Sequence, residues 1–192
     1  MWEDPARVLR NIIFTFLILI AVKYTLGGAS FQDKDHKGKG FSVKKIPGWQ
    51  MVLNDNNAGI FVSDPVESGS VTFLSAEKDP ATQLPLARIS VYEAKMATPA
   101  WIDDVFPEVM EALASSQAKI VDQGELKIDE QIGNWVLYSM KGSKDLNLEF
   151  YVTDEKNGIF KIRYAVEDKS FAKYRPVFED FRESFLFSKA LF

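Results

Sequence analysis

Leu146-Asn147-Leu148-Glu149-Phe150-Tyr151-Val152-Thr153 alternates with a period of two, Leu146, Leu148, Phe150 and Val152 on one side and Asn147, Glu149, Tyr151 and Thr153 on the other. Successive strand side chains point to opposite faces of a sheet, so this period predicts a strand with one face in the core and one in solvent. Asp154-Glu155-Lys156-Asn157-Gly158 follows as a hairpin turn, its Asn157-Gly158 pair suited to left-handed backbone geometry. The chain returns with Phe160, Ile162 and Tyr164 on one face and Lys161 and Arg163 on the other. A single solvated face implies antiparallel pairing, because parallel sheets are covered on both sides.

Beyond the hairpin, Phe171, Tyr174, Phe178, Phe181 and Phe185 recur at intervals of three and four. That spacing predicts a helix whose aromatic stripe needs a sheet to cover. Before the hairpin, 118–128 and 133–140 read as a strand pair around Glu130-Gln131-Ile132-Gly133. Further upstream, a helical region opens at Thr98-Pro99, with Thr98 as cap, Pro99 at the first helical position and Asp103 and Asp104 favouring the helix dipole. Its apolar face is Trp101, Val105, Val109 and Leu113, with Ile102, Phe106 and Met110 alongside, and Pro107 predicts a kink or restart. Trp101, Phe106 and Met110 could suggest a cofactor box, but helical spacing assigns them to packing against a sheet.

The first half supplies shorter strands at 41–43, 50–53, 58–62, 70–75 and 86–93. In the last of these Leu86, Arg88, Ser90 and Tyr92 oppose Ala87, Ile89 and Val91, a half-buried pattern. Ile46-Pro47-Gly48-Trp49 forms a type II turn, Gly48 taking the positive φ, and Asn54-Asp55-Asn56-Asn57 forms another turn. Many strands, one helical crossover and a closing helix define an α+β domain with a central antiparallel sheet packed by helices.

Residues 12–22 are Ile-Ile-Phe-Thr-Phe-Leu-Ile-Leu-Ile-Ala-Val, preceded by Arg7 and Arg10 and closed by Lys23. Basic residues before an apolar run are the parts of a signal sequence, and Gly27 and Ala29 fit peptidase recognition before Ser30. A helix over 8–26 would also reach about 28 Å, close to the roughly 30 Å of a hydrocarbon core. The reading is one N-terminal hydrophobic helix within 1–29, signal-anchor or signal peptide, with the lipid bilayer contacted through residues 8–26. The bulk of the chain then lies outside the cytoplasm, as a single-pass protein or, after cleavage, a secreted or periplasmic one. Residues 30–40 are polar and form a flexible linker, 41–187 the folded domain and 188–192 a tail. His36, the only histidine, falls in the linker and reads as an exposed linker residue.

The chain of 192 residues has no cysteine, which excludes disulfides, thiolate nucleophiles, cysteine-ligated zinc and a lipid-modified cysteine. Residues 1–40 carry six Lys/Arg against four Asp/Glu, and the remainder 17 against 23. An acidic folded region without a basic stripe argues against a nucleic-acid partner.

Gly40-Phe41-Ser42-Val43-Lys44-Lys45-Ile46-Pro47-Gly48-Trp49 and Phe171-Ala172-Lys173-Tyr174-Arg175-Pro176-Val177-Phe178-Glu179-Asp180-Phe181-Arg182-Glu183-Ser184-Phe185, with the order of elements between them, resemble the PsbP-like family, named for the extrinsic protein of the oxygen-evolving photosystem. The likeness spans about 40–187. It implies an α/β/α sandwich, similar in fold to a eukaryotic Ran-binding nuclear-import factor and to several bacterial envelope proteins. It also implies a noncatalytic binder, stabiliser or assembly factor. His36 precedes the matching region, so no manganese or calcium chemistry is carried over.

The residues agree. A Cys–His pair is impossible, a Ser–His–acid site would need His36, and no phosphate loop is present. The adjacent carboxylates Asp103/Asp104 and Glu179/Asp180, and Glu179/Glu183 at i,i+4, read as solvated helix acids rather than a glycosidase pair. Asp154 and Glu155 lack the order of a calcium loop. No residue is assigned a catalytic, cofactor-binding or metal role. The expected function is a noncatalytic extracytoplasmic binding, assembly or accessory subunit of a membrane protein complex or other envelope protein. The alternative is a small-ligand binding or sensing envelope protein, and a carboxylate hydrolase is disfavoured.

Overall fold

The computed structural model describes residues 36–37, 40–53, 67–99, 101–154 and 158–188. Its strands are β1 (His36–Lys37), β2 (Phe41–Val43), β3 (Gln50–Leu53), β4 (Glu67–Leu74), β5 (Ala87–Lys95), β6 (Lys119–Ile128), β7 (Gln131–Ser139), β8 (Asp145–Thr153), β9 (Gly158–Glu167) and β10 (Leu186–Phe187). Helix α1 (Ile102–Ser115) links β5 to β6, and α2 (Phe171–Glu183) follows β9 through a single 3-10 turn. Seven strands form one antiparallel sheet in the order β3-β4-β5-β9-β8-β7-β6, while β1, β2 and β10 form a small second sheet.

The hairpin at the centre has the register expected from its sequence, Leu148 opposite Tyr164 and Phe150 opposite Ile162. Its apolar face packs under α2, whose Tyr174, Phe178 and Phe181 are buried with Phe185 just beyond. Phe178 stacks on Tyr164 at 4.7 Å and lies 5.4 Å from Phe150, and Phe181 meets Phe73 at 5.2 Å. The small sheet adds Phe41 and Val43, with Phe41 stacked on Phe185 at 5.5 Å. Near β2, Gly48 has φ +76° and Trp49 N donates to Ile46 O at 3.1 Å, which is the expected turn.

The centre of the other face is not solvated. Asn147, Glu149, Tyr151, Thr153 and Lys161 are all buried, as are Ser90 and Tyr92 on β5. Helix α1 packs over part of it, Ile102, Val105, Phe106, Val109 and Met110 meeting Val136, Tyr138 and Tyr151. Two amphipathic helices each need a sheet face, and together they take both faces of a single sheet. The result is the α/β/α sandwich.

Several boundaries move. Helix α1 starts at Ile102 with Trp101 at its cap, without a side-chain cap bond, so Thr98 and Pro99 lie outside it and Trp101 is 62% exposed. The helix runs through Pro107, which costs it only one backbone bond near its start. The turn between β6 and β7 is two residues tighter than expected, Asp129 taking φ +52°, so Gln131 and Ile132 join β7. Gly158 opens β9, while Asn157 and the strand expected at 58–62 lie outside the described residues.

One part of the expected fold is corrected. The N-terminal hydrophobic helix over 8–26 lies outside the described residues. Among the described residues no helix is long and apolar enough to cross a membrane. The longer, α1, has 14 residues and would reach about 21 Å. The fold class is therefore the sandwich alone, and the transmembrane signal-anchor, the single-pass placement and bilayer contact through 8–26 are withdrawn.

Candidate functional site

Two constellations stand out, one sealed and one open. The sealed one arises from register. Glu149 on β8 lies opposite Arg163 on β9, Tyr151 opposite Lys161, and Tyr138 on β7 opposite Asn147. The two-residue period brings these polar side chains to the α1 side of the sheet.

Glu149, 3% exposed, accepts a hydrogen bond from Tyr138 Oη at 3.0 Å and a short one from Tyr151 Oη. Arg163 Nε lies 3.4 Å and Lys161 Nζ 3.8 Å from Glu149 Oε1. Arg163 also donates to Asn147 Oδ1 through Nε at 3.3 Å and Nη2 at 2.8 Å. Lys161, 1% exposed, places Nζ 4.9 Å from the Tyr92 ring centroid.

A buried charge is tolerated when paired and hydrogen-bonded, and this carboxylate has both. Burial depresses the Lys161 ammonium to about 8, partly offset by attraction to Glu149. Burial, followed by the Glu149 charge, raises both the Tyr138 and Tyr151 phenols far above their usual range, so they remain neutral donors. Glu149 is held by two phenols and two cations at once. Its chemistry is to fix α1, β7, β8 and β9 in one arrangement.

The open constellation is a trough on the opposite face. A helix is roughly 10–12 Å wide, and strands lie about 4.8 Å apart, so α2 covers under half of a seven-stranded sheet. Its buried stripe sits over β4, β8 and β9. That leaves Leu126 on β6, Trp135 and Leu137 on β7, and Leu148 on β8 only half-buried, as the floor of a groove of about 300 Å³. Arg175, Glu179 and Arg182 from one side of α2 and Asp122 from β6 stand around it. Arg175 Nε donates to Glu179 Oε1 at 2.8 Å, and Arg182 Nη2 lies 3.7 Å from Glu183. Such an apolar floor with a few convergent polar groups is the usual form of a small-molecule site.

The residues considered from sequence fall elsewhere. Asp103 and Asp104 are exposed in the first turn of α1, and Asp180 and Glu183 are exposed on α2. Glu179 alone of those acids joins the trough, where it pairs with Arg175 rather than with a second carboxylate. Asp154 Oδ1 accepts from Gly158 N at 2.7 Å, closing the hairpin, and Glu155 lies outside the described residues. His36, expected in a linker, lies in β1 opposite Val43. Phe106 packs edge-on against Tyr151 at 6.1 Å, while Trp101 is exposed, so Trp101, Phe106 and Met110 do not converge as a box. Among the described residues no group of three or more His, Asp or Glu could hold a metal ion.

Sequence reading missed Tyr138, Glu149, Lys161 and Arg163 as a group. The available signal was the hairpin register together with the need of a second helix for a sheet face. For Trp135 and Leu137 the sequence pattern indicates a strand and nothing more.

Comparison with solved structures assigns the fold. The chain has a PsbP-like fold. The cyanobacterial PsbP of Synechocystis, CyanoP, matches it with a TM-score of 0.57 and 15% identity, over 84% of this chain and 96% of that one. A Bacteroides thetaiotaomicron protein matches with a TM-score of 0.48 and 14% identity, over 83% of this chain and half of its own. A Pseudomonas aeruginosa protein of unknown function gives 0.43 and 10%, over 82% of this chain and 98% of its own. No family model matches the sequence, and no curated protein does.

Proposed function

We propose that this is a noncatalytic, extrinsic domain of the extracytoplasmic space that binds a small amphipathic molecule in the trough beside α2. One observation carries the reading: four half-buried apolar side chains, Leu126, Trp135, Leu137 and Leu148, form an open floor next to charged groups already held in place by one another. Binding there covers apolar surface at about 25 cal/mol per Å² without opening the core. The volume, about 300 Å³, is at the lower end of ligand pockets and suits a molecule with a short apolar body and one polar head.

Anilinonaphthalene sulfonate, with decanoate as competitor, tests this. The native chain should enhance the dye's emission and decanoate should reverse it, while Leu137→Glu should weaken binding about tenfold with the cooperative urea transition retained. Equal emission from the native chain and Leu137→Glu would dismiss the trough as a ligand site.

The PsbP-like fold supports a second reading, an accessory or assembly subunit of a membrane protein complex or another envelope protein. Mild solubilisation and copurification with the untagged chain would identify that partner.

A further inference from the structure

Strand β6 ends the seven-stranded sheet. It has ten residues and, among the described residues, pairs only with β7, whereas β3 at the other edge has four. A long open edge exposes unpaired backbone N–H and C=O groups and is a template for another strand. The β6–β7 ladder is irregular at Ile120/Asp122 and then regular from Asp122↔Leu137 to Ile128↔Gln131. Regular pairing is therefore available over 122–128. In that segment Asp122, Gln123, Glu125 and Lys127 are exposed, Gly124 and Leu126 are half-buried and Ile128 is buried.

We propose that β6 pairs antiparallel with β6 of a second copy of this chain, across a twofold axis through Leu126. The axis sets the register. Leu126 meets Leu126, Gly124 meets Ile128, and Glu125 meets Lys127 of the second copy, the last contact occurring twice.

Charge selects this register. Moving the axis one residue toward the N-terminus sets Glu125 against Glu125. Moving it one residue toward the C-terminus sets Lys127 against Lys127, while Asp129, with φ +52°, and Glu130 lie in the turn beyond the strand and outside the ladder. Opposite charges directly across a ladder stabilise it and like charges destabilise it. An edge lysine ordinarily discourages pairing, and here it has a carboxylate waiting at the matching position.

Packing agrees with charge. The Trp135 indole lies over Gly124, where an added Cβ would meet its Nε1 at 3.0 Å. On the same face, the second copy's Ile128 and Leu126 would extend the apolar floor, so the two troughs join along the axis. Each copy thereby supplies Leu126 to the other's ligand site. The ladder is short and falls below the roughly 1,200–2,000 Å² of stable interfaces, so association depends on concentration.

The absence of cysteine makes the register directly testable in the full chain. Opposed residues in an antiparallel ladder have Cα atoms about 4.5–5.5 Å apart, within disulfide reach. Leu126→Cys should form a covalent dimer under mild oxidation, while Gln123→Cys, far from its own copy, should form about tenfold less. Equal yields would overturn the register.

Charge variants give an independent arm that leaves the core untouched. Glu125→Lys and Lys127→Glu should each sediment as monomers where the native chain dimerises, and an equal mixture of the two should dimerise again. A native chain that stays monomeric at millimolar concentration, or a mixture that fails to associate, would sink the proposal. Either result leaves dye binding by the monomer's trough a separate question.

Discussion

Replacing Lys161 by methionine should abolish a stability gain at alkaline pH that the native chain shows. In the folded chain the ammonium titrates at about 8, against 10.5 when solvated. Below pH 8 both states are protonated and the whole burial cost is present. Between the two values the unfolded state binds more protons than the folded one, so stability rises with pH. The full difference corresponds to roughly 3 kcal/mol, of which about 2 kcal/mol falls between about pH 7.5 and 9.5. Tyrosine ionisation works in the opposite direction. The raised phenols of Tyr138 and Tyr151 hold their protons in the fold while the unfolded chain starts to lose them near pH 10. That loss is common to both proteins, so the difference between native and Lys161→Met isolates Lys161. Methionine matches the length of the stem, and Glu149 keeps Arg163 and both phenols. Urea unfolding at the two pH values is the assay. With a slope of about 1–3 kcal/mol per molar urea, the native midpoint should rise by roughly 1 M relative to the variant. Parallel midpoints would show that Lys161 does not hold a depressed pKa in the fold, and the buried-cluster argument would fall.

Phe178→Ala and Phe181→Ala should each cost about 3–5 kcal/mol, because both rings are almost fully buried under α2. Less than about 1 kcal/mol for both in a denaturant series would remove α2 from the core. Gly133→Ala should cost roughly 1–3 kcal/mol by overpacking, since a Cβ there would meet Tyr151 O at 2.5 Å and Val152 Cβ at 3.1 Å. An unchanged thermal midpoint would mean that β7 and β8 can separate at that point.

The apolar half of the fold was open to reading because each of its signals agrees with the next. Leu148, Phe150, Ile162 and Tyr164 point to one face, and Phe178 and Phe181 recur at helical spacing to cover it. The polar half misled because alternation records which residues differ, not which are wet. Asn147, Glu149 and Lys161 have the pattern of a solvated face, yet their charges and hydrogen bonds are satisfied by one another beneath the sheet's second cover. Val105, Val109 and Phe106 on α1 contained the correction, since a second apolar helix has nowhere to pack on a sheet with one covered face. Trp101 is in phase with the apolar face of that helix, but it sits at the cap, where the chain has not yet turned onto the sheet. The trough was not legible at all. It depends on where α2 crosses the strands, and neither Trp135 nor Leu137 signals from its neighbours that no helix lies above it.

Sheet order also sets a timetable. Among the described strands, the meander β3-β4-β5 pairs with the rest of the sheet through β9 alone, Lys95 pairing with Gly158 and Ala87 with Val166, with α1 and three further strands between them in the chain. Hairpins β6–β7 and β8–β9 close locally, whereas β5–β9 must close a long loop, a slow step in domains dominated by nonlocal contacts. During synthesis, β5 carries Ile89 and Val91 on an open edge until β9 has emerged. Rapid degradation or aggregation of chains halted before residue 158 is therefore built into the strand order.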